Sequence, residues 1–220
     1  MTAMTNQSVK TLAILGAGSV GAALGKIWAQ GNHQVILTFG RDVQKIEAAA
    51  RAAGPRARTA SSPAEAVAAA DVVVLAVPWN AVDSAIQQAG SLQGKILLTV
   101  ANPLLPDMSG LLLGTTTSGA EEIAKKSPGA LVVEAIPPFA EVLASSARRF
   151  GNVQPSTFYC GDDATAKSHV AQLLQELDVQ PVDAGPLRNA RFIEPANVLL
   201  MQIQYGGAAQ GQYGLRLLHR

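Results

Sequence analysis

Three glycines near the start of the chain have the spacing of a phosphate-binding turn. Gly16, Gly18 and Gly21 follow the apolar run 11–15 and precede a helix-compatible pattern. In such a turn the first glycine allows a tight bend, the second lets the backbone approach a diphosphate, and the third lets the helix pack on the strand. The free N–H groups that open the helix then favour bound phosphates. We therefore predict a dinucleotide-binding segment, with a glycine-rich turn of an unrelated α/β protein as the alternative. Its residues are Gly16, Ala17, Gly18, Ser19, Val20 and Gly21.

The residues after the second predicted strand indicate which dinucleotide binds. Sites for NAD usually place an acidic side chain here, on the ribose hydroxyls of adenosine. In this chain the position is taken by Thr38 or Phe39, and Gly40 and Arg41 follow. A guanidinium can pair with a 2′-phosphate and stack on adenine, and the Thr38 hydroxyl can add a hydrogen bond. The sequence therefore favours NADP over NAD, unless Arg41 is only a solvated loop charge.

Two further loops follow apolar strand patterns. Val77, Pro78 and Trp79 come after one of them, and Ala101 and Asn102 come after the next. Ligands of open α/β sheets bind at the carboxyl ends of the strands, so we predict that these five residues contact the cofactor. Trp79 either covers the cofactor or caps the core. Asn102 either hydrogen-bonds the nicotinamide carboxamide or ribose, or forms an Asn-Pro turn.

The elements that must position these loops alternate between strand and helix patterns over residues 1–150. This alternation is typical of a doubly wound parallel sheet. The run 71–77 is almost continuously β-branched, as expected for a strand that is buried on both faces. Strands are predicted at 9–15, 33–38, 71–77, 95–100 and 130–135, and helices at 20–30, 42–53, 62–70, 80–89 and 119–126.

Residues 151–220 predict a small α/β C-terminal domain. The segment 151–155 has the composition of a linker. A strand at 157–160, a helix at 164–177 and a strand at 179–184 follow. A long helical pattern then extends from 191 to 218, interrupted by glycines at 206, 207 and 211. Glycine costs about 1 kcal/mol against alanine inside a helix, so these positions indicate either a close approach by another backbone or ring, or a break in the helix.

Composition excludes several classes of protein. With 220 residues, 48% hydrophobic and 15% charged, the chain can bury a sizeable core. A net charge of +1 without a basic run argues against a nucleic-acid partner. The single cysteine, Cys160, excludes an internal disulfide and a multi-cysteine metal site, and no metal-ligand spacing is present. The chain shows neither a signal-peptide pattern nor a long apolar run, which predicts a soluble cytoplasmic protein without a membrane span.

Short motifs follow one another along almost the whole chain, and their order is far more specific than the glycine turn alone. They are the glycine turn, Arg41, Val77-Pro78-Trp79, Ala135-Ile136-Pro137-Pro138, Cys160-Gly161-Asp162-Asp163, Asp183-Ala184-Gly185-Pro186-Leu187, and Asn189-Ala190-Arg191 with Glu194. In this order they resemble the F420-dependent NADP reductases. The N-terminal part is also similar to the reductase domains of the STEAP proteins and to pyrroline-5-carboxylate reductases.

The resemblance implies an NADP-binding Rossmann domain at 1–150 and a small C-terminal domain at 151–220 that completes a cleft and a homodimer interface. It also implies hydride transfer between NADPH and a deazaflavin, coenzyme F420. Ile136, Pro137 and Pro138 would then line the cleft near the nicotinamide. Residues of the last helix around 204–208, Gln204 and Gly207 among them, would face the second ring.

The chain departs from the family pattern in three places. Gly40 stands where many members have Ser or Thr, which removes one phosphate ligand. Glu134 is nearest to a position where some members have histidine, and Pro138-Phe139 stand where members have small residues after the Ile-Pro pair. A bulky Phe139 either narrows the cleft or stacks on a flavin-like ring. Arg191 either forms a structural ion pair, sharing a helix face with Glu194, or reaches an anionic tail of the acceptor.

The function predicted from these features is hydride transfer between NADPH and F420 or a related flavin-like carrier. Because the two rings carry the chemistry, no catalytic side chain is predicted. One alternative is a reductase of another acceptor, such as free flavin, a quinone, a ferric chelate or an imine. The other is a non-catalytic NADPH-binding redox sensor.

Overall fold

A computed structural model describes residues 9–207 and 211–220, and it contains one sheet of eight strands in the order β3-β2-β1-β4-β5-β6-β7-β8. Every neighbouring pair is parallel except β6 and β7, which are antiparallel. This arrangement confirms the predicted doubly wound α/β fold. The strands are β1 (Thr11–Leu15), β2 (Gln34–Thr38), β3 (Ala57–Thr59), β4 (Val72–Leu75), β5 (Ile96–Thr99), β6 (Leu131–Ala135), β7 (Ser156–Gly161) and β8 (Gln180–Asp183).

Helices cover both faces of the sheet, and local sequence determines where several of them begin. The side chains of Asp42, Ser62 and Asp163 each accept a backbone N–H from the first turn of the helix that follows. Pro63 occupies the first position of α3, where its missing N–H costs nothing. The helices are α1 (Ser19–Gln30), α2 (Val43–Ala53), α3 (Pro63–Ala69), α4 (Val82–Ala89), α5 (Gly119–Lys126), α6 (Ala140–Ala144), α7 (Ala164–Gln175) and α8 (Ala190–Gly206).

The strands of the C-terminal segment continue the main sheet. Strand β7 pairs with β6, and β8 pairs with β7. On one face of the sheet α1 and α7 contribute to the same buried cluster. The fully buried Trp28 of α1 donates its indole N–H to the carbonyl oxygen of Leu173 in α7, at 3.0 Å. The proposed division at residue 150 stays a prediction, and the two segments share a sheet and a core.

One strand and one helix were not predicted from the sequence, and one helix was predicted too long. Strand β3 and helix α6 are too short to give a periodic pattern. The continuation of the last helix to residue 218 is wrong: α8 ends at Gly206, the first of the glycines in that pattern, and residues 211–220 are not helical. Glycine ends the helix there because the backbone gains little from staying helical without a side chain to pack.

Strands β1, β2, β4, β5 and β6 run parallel and end at one edge of the sheet, and all predicted cofactor loops follow them there. Because β7 runs the opposite way, its first residues lie beside the end of β6 at that same edge. Each helix in the described part of the chain is too short or too polar to span a lipid bilayer.

Candidate cofactor-binding site

The glycine turn joins the ends of three strands. Gly16 leaves β1 with a φ of +112°, which L side chains rarely adopt, and its N–H donates to the carbonyl oxygen of Thr38 at 2.9 Å. A Cβ on Gly16 would collide with the backbone of Ala76, just after β4, and one on Gly21 would overlap the carbonyl oxygen of Gly16. The first and third glycines are therefore required by backbone contacts within the protein itself.

The middle glycine of the motif faces open space. Gly18 is the N-cap of α1, and a Cβ built there would meet no heavy atom of the protein within 4 Å. No side chain of the described residues caps this helix, in contrast to α2, α3, α5 and α7. The first N–H groups of α1 are left for an external acceptor, and the turn fits a diphosphate.

The end of β2 presents a cation and lacks a free carboxylate. Thr38 is buried, whereas Gly40 and Arg41 are exposed. Asp42 follows, but its carboxylate accepts the N–H of Lys45 at 3.2 Å and so caps α2. Arg41 makes no ion pair within residues 9–207 and 211–220, so its guanidinium is available to an anion.

The loop after β4 closes against the glycine turn. Val77 is buried, and its Cγ1 lies 2.9 Å from a Cβ built on Gly16. Pro78 is exposed, and Trp79 is half-buried against the core on the α4 side of the sheet. The Nζ of Lys126 lies 6.0 Å from the centre of the Trp79 ring. Trp79 thus packs on the core, and its predicted contact with a cofactor stays a prediction.

The loop after β5 carries the clearest sign of a missing partner. The Oδ1 and Nδ2 atoms of Asn102 are both buried, and neither has a hydrogen-bond partner among the described residues. Ala101, beside it, is buried, and its N–H donates to Oγ1 of Thr99 at 3.2 Å. A buried amide left without partners costs about 1–3 kcal/mol, so a ligand that pairs with Asn102 would recover that free energy. A nicotinamide carboxamide or a ribose hydroxyl has the complementary donors and acceptors.

An apolar cavity lies where β6 ends and β7 begins. Its free volume is about 50 Å³, or about 540 Å³ when the solvent at its open mouth is counted, and Ile136, Pro137, Pro138 and Phe139 form one wall. The wall is fixed to β7, because Oγ1 of Thr157 donates to the carbonyl oxygen of Ile136 at 2.9 Å and the N–H of Ile136 donates to Phe158. The other lining residues are Phe150, Pro155, Ser156, Thr157, Phe158, Ala196, Asn197, Leu200, Tyr213, Gly214 and Leu215.

Phe139 stands at the entrance to α6 and contacts α8. Its ring lies 5.6 Å from the ring of Tyr205, centroid to centroid, at 72°, an edge-to-face pair. The hydroxyl of Tyr205 donates to the carboxylate of Glu141, at 3.1 Å from Oε2. Phe139 is therefore held at the rim of the cavity by aromatic packing.

The remaining predicted acceptor contacts are not brought to the cavity. Arg191 forms a two-pronged ion pair with Glu121 of α5, at 2.7 and 2.8 Å, and does not pair with Glu194. Gln204 accepts the N–H of Tyr213 on its Oε1 at 3.0 Å, and Gly207 is exposed beyond the end of α8. Ala208 lies outside the described residues. The acceptor roles of Arg191, Gln204 and Gly207 stay predictions.

Two buried carboxyl groups were not recognised as a pair from the sequence. Glu134 of β6 is 3% exposed and Glu194 of α8 is 1% exposed. Oε1 of Glu194 accepts the N–H of Ala120 at 3.1 Å, and Oε2 of each residue has no partner among the described residues. Burial raises the pKa of Glu194 to about 7, and burial and the nearby charge of Glu194 raise the pKa of Glu134. The pair therefore holds at least one proton at neutral pH.

Cys160 lies opposite Glu134 in the β6–β7 pairing and is fully buried. Its Sγ lies 3.6 Å from the carbonyl oxygen of Leu187, and burial raises the pKa of the thiol. A thiol in this environment behaves as a packed apolar group and takes no part in the chemistry.

Comparison with known proteins supports the nucleotide site. The family described as NADP oxidoreductase, coenzyme F420-dependent, matches residues 11–103, which include the glycine turn, Arg41 and Asn102. Metalloreductase STEAP3 of Rattus norvegicus is 31% identical over 137 residues, which are 62% of this chain and 27% of that protein. The chain thus spans about a quarter of the length of this curated relative.

Solved structures extend the similarity to the full chain. A protein from Arthrobacter sp. fb24 proposed to be an F420-dependent NADP-reductase is 27% identical, with a TM-score of 0.84 over 96% of this chain and 100% of that one. A hypothetical protein from Sinorhizobium meliloti is also 27% identical, with a TM-score of 0.75 over 98% of each chain. A reductive aminase from Aspergillus terreus, at 18% identity and a TM-score of 0.64 over 88% of this chain and 61% of that one, shares the fold. The similarity to the family described as NADP oxidoreductase, coenzyme F420-dependent, therefore lies in residues 11–103, the part of the chain that carries the glycine turn.

Proposed function

We propose that this protein transfers a hydride between NADPH and a planar acceptor, coenzyme F420 or a related flavin-like carrier. One observation carries the proposal: the glycine turn and the aromatic-lined cavity lie at the same edge of a single sheet. Two rings bound at that edge can stack against each other, and hydride transfer requires such an alignment. The family match supports the same chemistry.

The residues of the nucleotide side have separate tasks. The first N–H groups of α1 bind the diphosphate, and Gly18 leaves room for it. Arg41 pairs with the 2′-phosphate of the adenosine, beside the hydroxyl of Thr38. Asn102 orients the nicotinamide by taking up the hydrogen bonds that its buried amide lacks. When bound, NADPH supplies the hydride.

The residues of the acceptor side exclude water and fix the plane of the second ring. Ile136, Pro137 and Pro138 give a rigid apolar wall, because proline has no N–H to hydrate and a fixed φ. The aromatic groups Phe139, Phe150 and Phe158 suit a flat, polarisable ring. This lining favours a flavin-like acceptor over a small polar one.

The competing functions can be separated by one spectroscopic experiment. Purified protein is mixed with NADPH and F420 under anaerobic conditions, and both absorbance bands are followed. Bleaching of F420 with loss of NADPH supports the proposal. Turnover with FMN, a quinone, a ferric chelate or a cyclic imine, and none with F420, would identify a reductase of that other acceptor. Binding of NADPH without turnover of any of them would identify a redox sensor.

Arg41 provides a test of the nucleotide preference. We expect Arg41→Ala to weaken NADPH binding by about tenfold to a hundredfold, the value of a charge-assisted phosphate contact, while NADH binding changes little. Both Kd values are measured by quenching of tryptophan fluorescence. The control is Arg51→Ala on the exposed face of α2, where Arg51 pairs only with Glu47 in the described structure. Equal losses for NADPH and NADH would contradict the 2′-phosphate assignment.

We propose further that two copies pair through α8. Phe192, Leu199 and Ile203 share one face of this helix, and the first two are 73% and 62% exposed. Exposed apolar side chains at helical spacing are typical of a helix that packs on another chain. The C₂ pairing of two such helices would bury this face.

Leu199 provides the test of the dimer. We expect wild-type protein to elute in light-scattering chromatography with twice the chain mass, and Leu199→Glu to shift it to the mass of one chain. The control is Val43→Glu, which places a charge at an exposed apolar position on α2, at the other end of the sheet. A wild-type mass of one chain would exclude the dimer.

A further inference from the structure

The open side of the apolar cavity is crossed by a segment that sequence analysis assigned to a helix. Residues 213–217, termed the strap here, are not helical, and Tyr213, Gly214 and Leu215 line the cavity. They face the wall formed by Ile136–Phe139 and the side chains of Ala196 and Leu200 on α8. The strap therefore closes a cavity that would otherwise be a groove between β7 and α8.

The strap is bound to the residues that lead into β7. The N–H of Ser156 donates to the carbonyl oxygen of Leu215 at 2.6 Å, and the N–H of Leu217 donates to Oγ of Ser156 at 3.0 Å. Nη1 of Arg216 donates to the carbonyl oxygen of Gln154 at 2.9 Å. A further bond, from the N–H of Tyr213 to Oε1 of Gln204, fixes the other end of the strap to α8.

One glycine allows the strap to lie so close. A Cβ on Gly214 would be 2.6 Å from Cε2 of Phe150, closer than real Cβ contacts come. The backbone φ of Gly214 is not in the left-handed region, so the requirement is for space alone. The backbone of Phe150 is fixed, because its N–H and carbonyl group both pair with Val153, at 3.0 and 3.1 Å. A methyl group on Gly214 would therefore displace either the strap or the Phe150 ring, and both line the cavity.

We propose that the strap determines which acceptors the protein admits. If the proposed function holds, residues 213–215 set the width of the slot that receives the acceptor ring. A planar aromatic ring would be covered by the Ile-Pro-Pro wall on one side and by the strap on the other. Each surface removed from water adds to its affinity, so a ring that fills the slot is favoured over a smaller or bulkier acceptor.

The test compares two glycines in the same part of the chain. Gly214→Ala displaces the strap or the Phe150 ring and so changes the lining of the cavity, whereas a Cβ on Gly211 meets only the ring of Tyr213 at ordinary contact distance, 3.8 Å. We expect Gly214→Ala to raise the Kd for FMN, the ring probe, by about tenfold, the loss of one well-packed contact, and Gly211→Ala to leave it unchanged. FMN fluorescence quenching measures this without turnover. The Kd for NADPH should be the same in all three proteins.

Steady-state kinetics extend the comparison to selectivity. With NADPH as donor, Gly214→Ala should lower the ratio of kcat/KM for FMN to that for 1-pyrroline, a small cyclic imine that accepts a hydride at carbon. Arg216→Ala, which removes a strap anchor at an exposed position, should change the ratio in the same direction and serves if Gly214→Ala does not fold. Suppose both variants bind NADPH and FMN as wild-type protein does and keep its ratio of kcat/KM values. That result would overturn the role of the strap and leave the proposed function standing. Absence of NADPH binding in the wild-type protein would overturn the proposed function.

Discussion

Gly21→Ala is expected to unfold the protein at temperatures that wild-type protein withstands. The new Cβ would overlap the carbonyl oxygen of Gly16, so the clash is between two backbone segments and no side chain can rotate to relieve it. Helix α1 would have to move off the sheet, which disrupts the core around Trp28. Overpacking of this kind costs on the order of 3 kcal/mol, which lowers the melting temperature of a chain this size by about 6–12 °C. Thermal unfolding without nucleotide measures the effect.

Gly18→Ala is the matched control, and it should have the opposite profile. Its Cβ meets nothing within 4 Å, so the melting temperature should stay close to that of wild-type protein. The methyl group would, however, occupy the space that the diphosphate needs, and NADPH binding should weaken by about tenfold or more. If Gly18→Ala binds NADPH as tightly as wild-type protein does, the turn does not hold the diphosphate.

The stability of the protein is expected to fall as pH rises from about 4.5 to about 7. Burial raises the pKa of Glu194 from 4.5 in the unfolded chain to about 7 in the folded protein. Across this interval the folded protein keeps a proton that the unfolded chain has released, so each rise in pH favours unfolding. The loss amounts to on the order of 2–3 kcal/mol above pH 7. The groups around this carboxyl are Glu134, Cys160, Glu121 and the N–H groups of Gly119 and Ala120.

Glu194→Gln tests this expectation. Glutamine keeps an oxygen for the N–H of Ala120 and has no charge, so the variant should be more stable than wild-type protein at pH 8 and similar at pH 5. Urea unfolding at both pH values gives the comparison. Glu121→Gln should behave the other way: its hydrogen bond with Arg191 lowers the pKa of Glu121, so that variant should lose stability at pH 8 and little at pH 4. A Glu194→Gln variant that is less stable at pH 8 would show that the carboxylate form is the one the fold favours.

Much of the nucleotide side could be predicted from local sequence. The motif around Gly16 combines a strand, a turn and a helix within a dozen residues, and the same local rules give the N-cap at Asp42. A parallel sheet brings the carboxyl ends of its strands to one edge, so Asn102 was expected near the other predicted cofactor loops. Its unpaired amide, in contrast, depends on which groups surround it in three dimensions.

The groups that sequence analysis missed are defined by partners far along the chain. Glu194 interacts with Ala120 and with Glu134, and nothing local to residue 194 indicates that its carboxyl group is buried. His33 is buried between the N–H of Lys10 and the carboxylate of Glu176, which lies 143 residues away. The strap was predicted as helix because its sequence pattern is helical. In the structure its backbone forms hydrogen bonds with Ser156, which is distant in sequence, and no helical ones.

The reversed direction of β7 has a mechanical consequence. Because β7 is antiparallel to β6, the start of β7 lies directly beside the end of β6. The two strands are neighbours in the sheet, about 4.8 Å apart. Residues 136–139 and 156–158, which line the apolar cavity, therefore lie at neighbouring strands of one sheet and need no hinge to meet. The distance between these two sides of the cavity is set when the backbone folds, before any ligand binds.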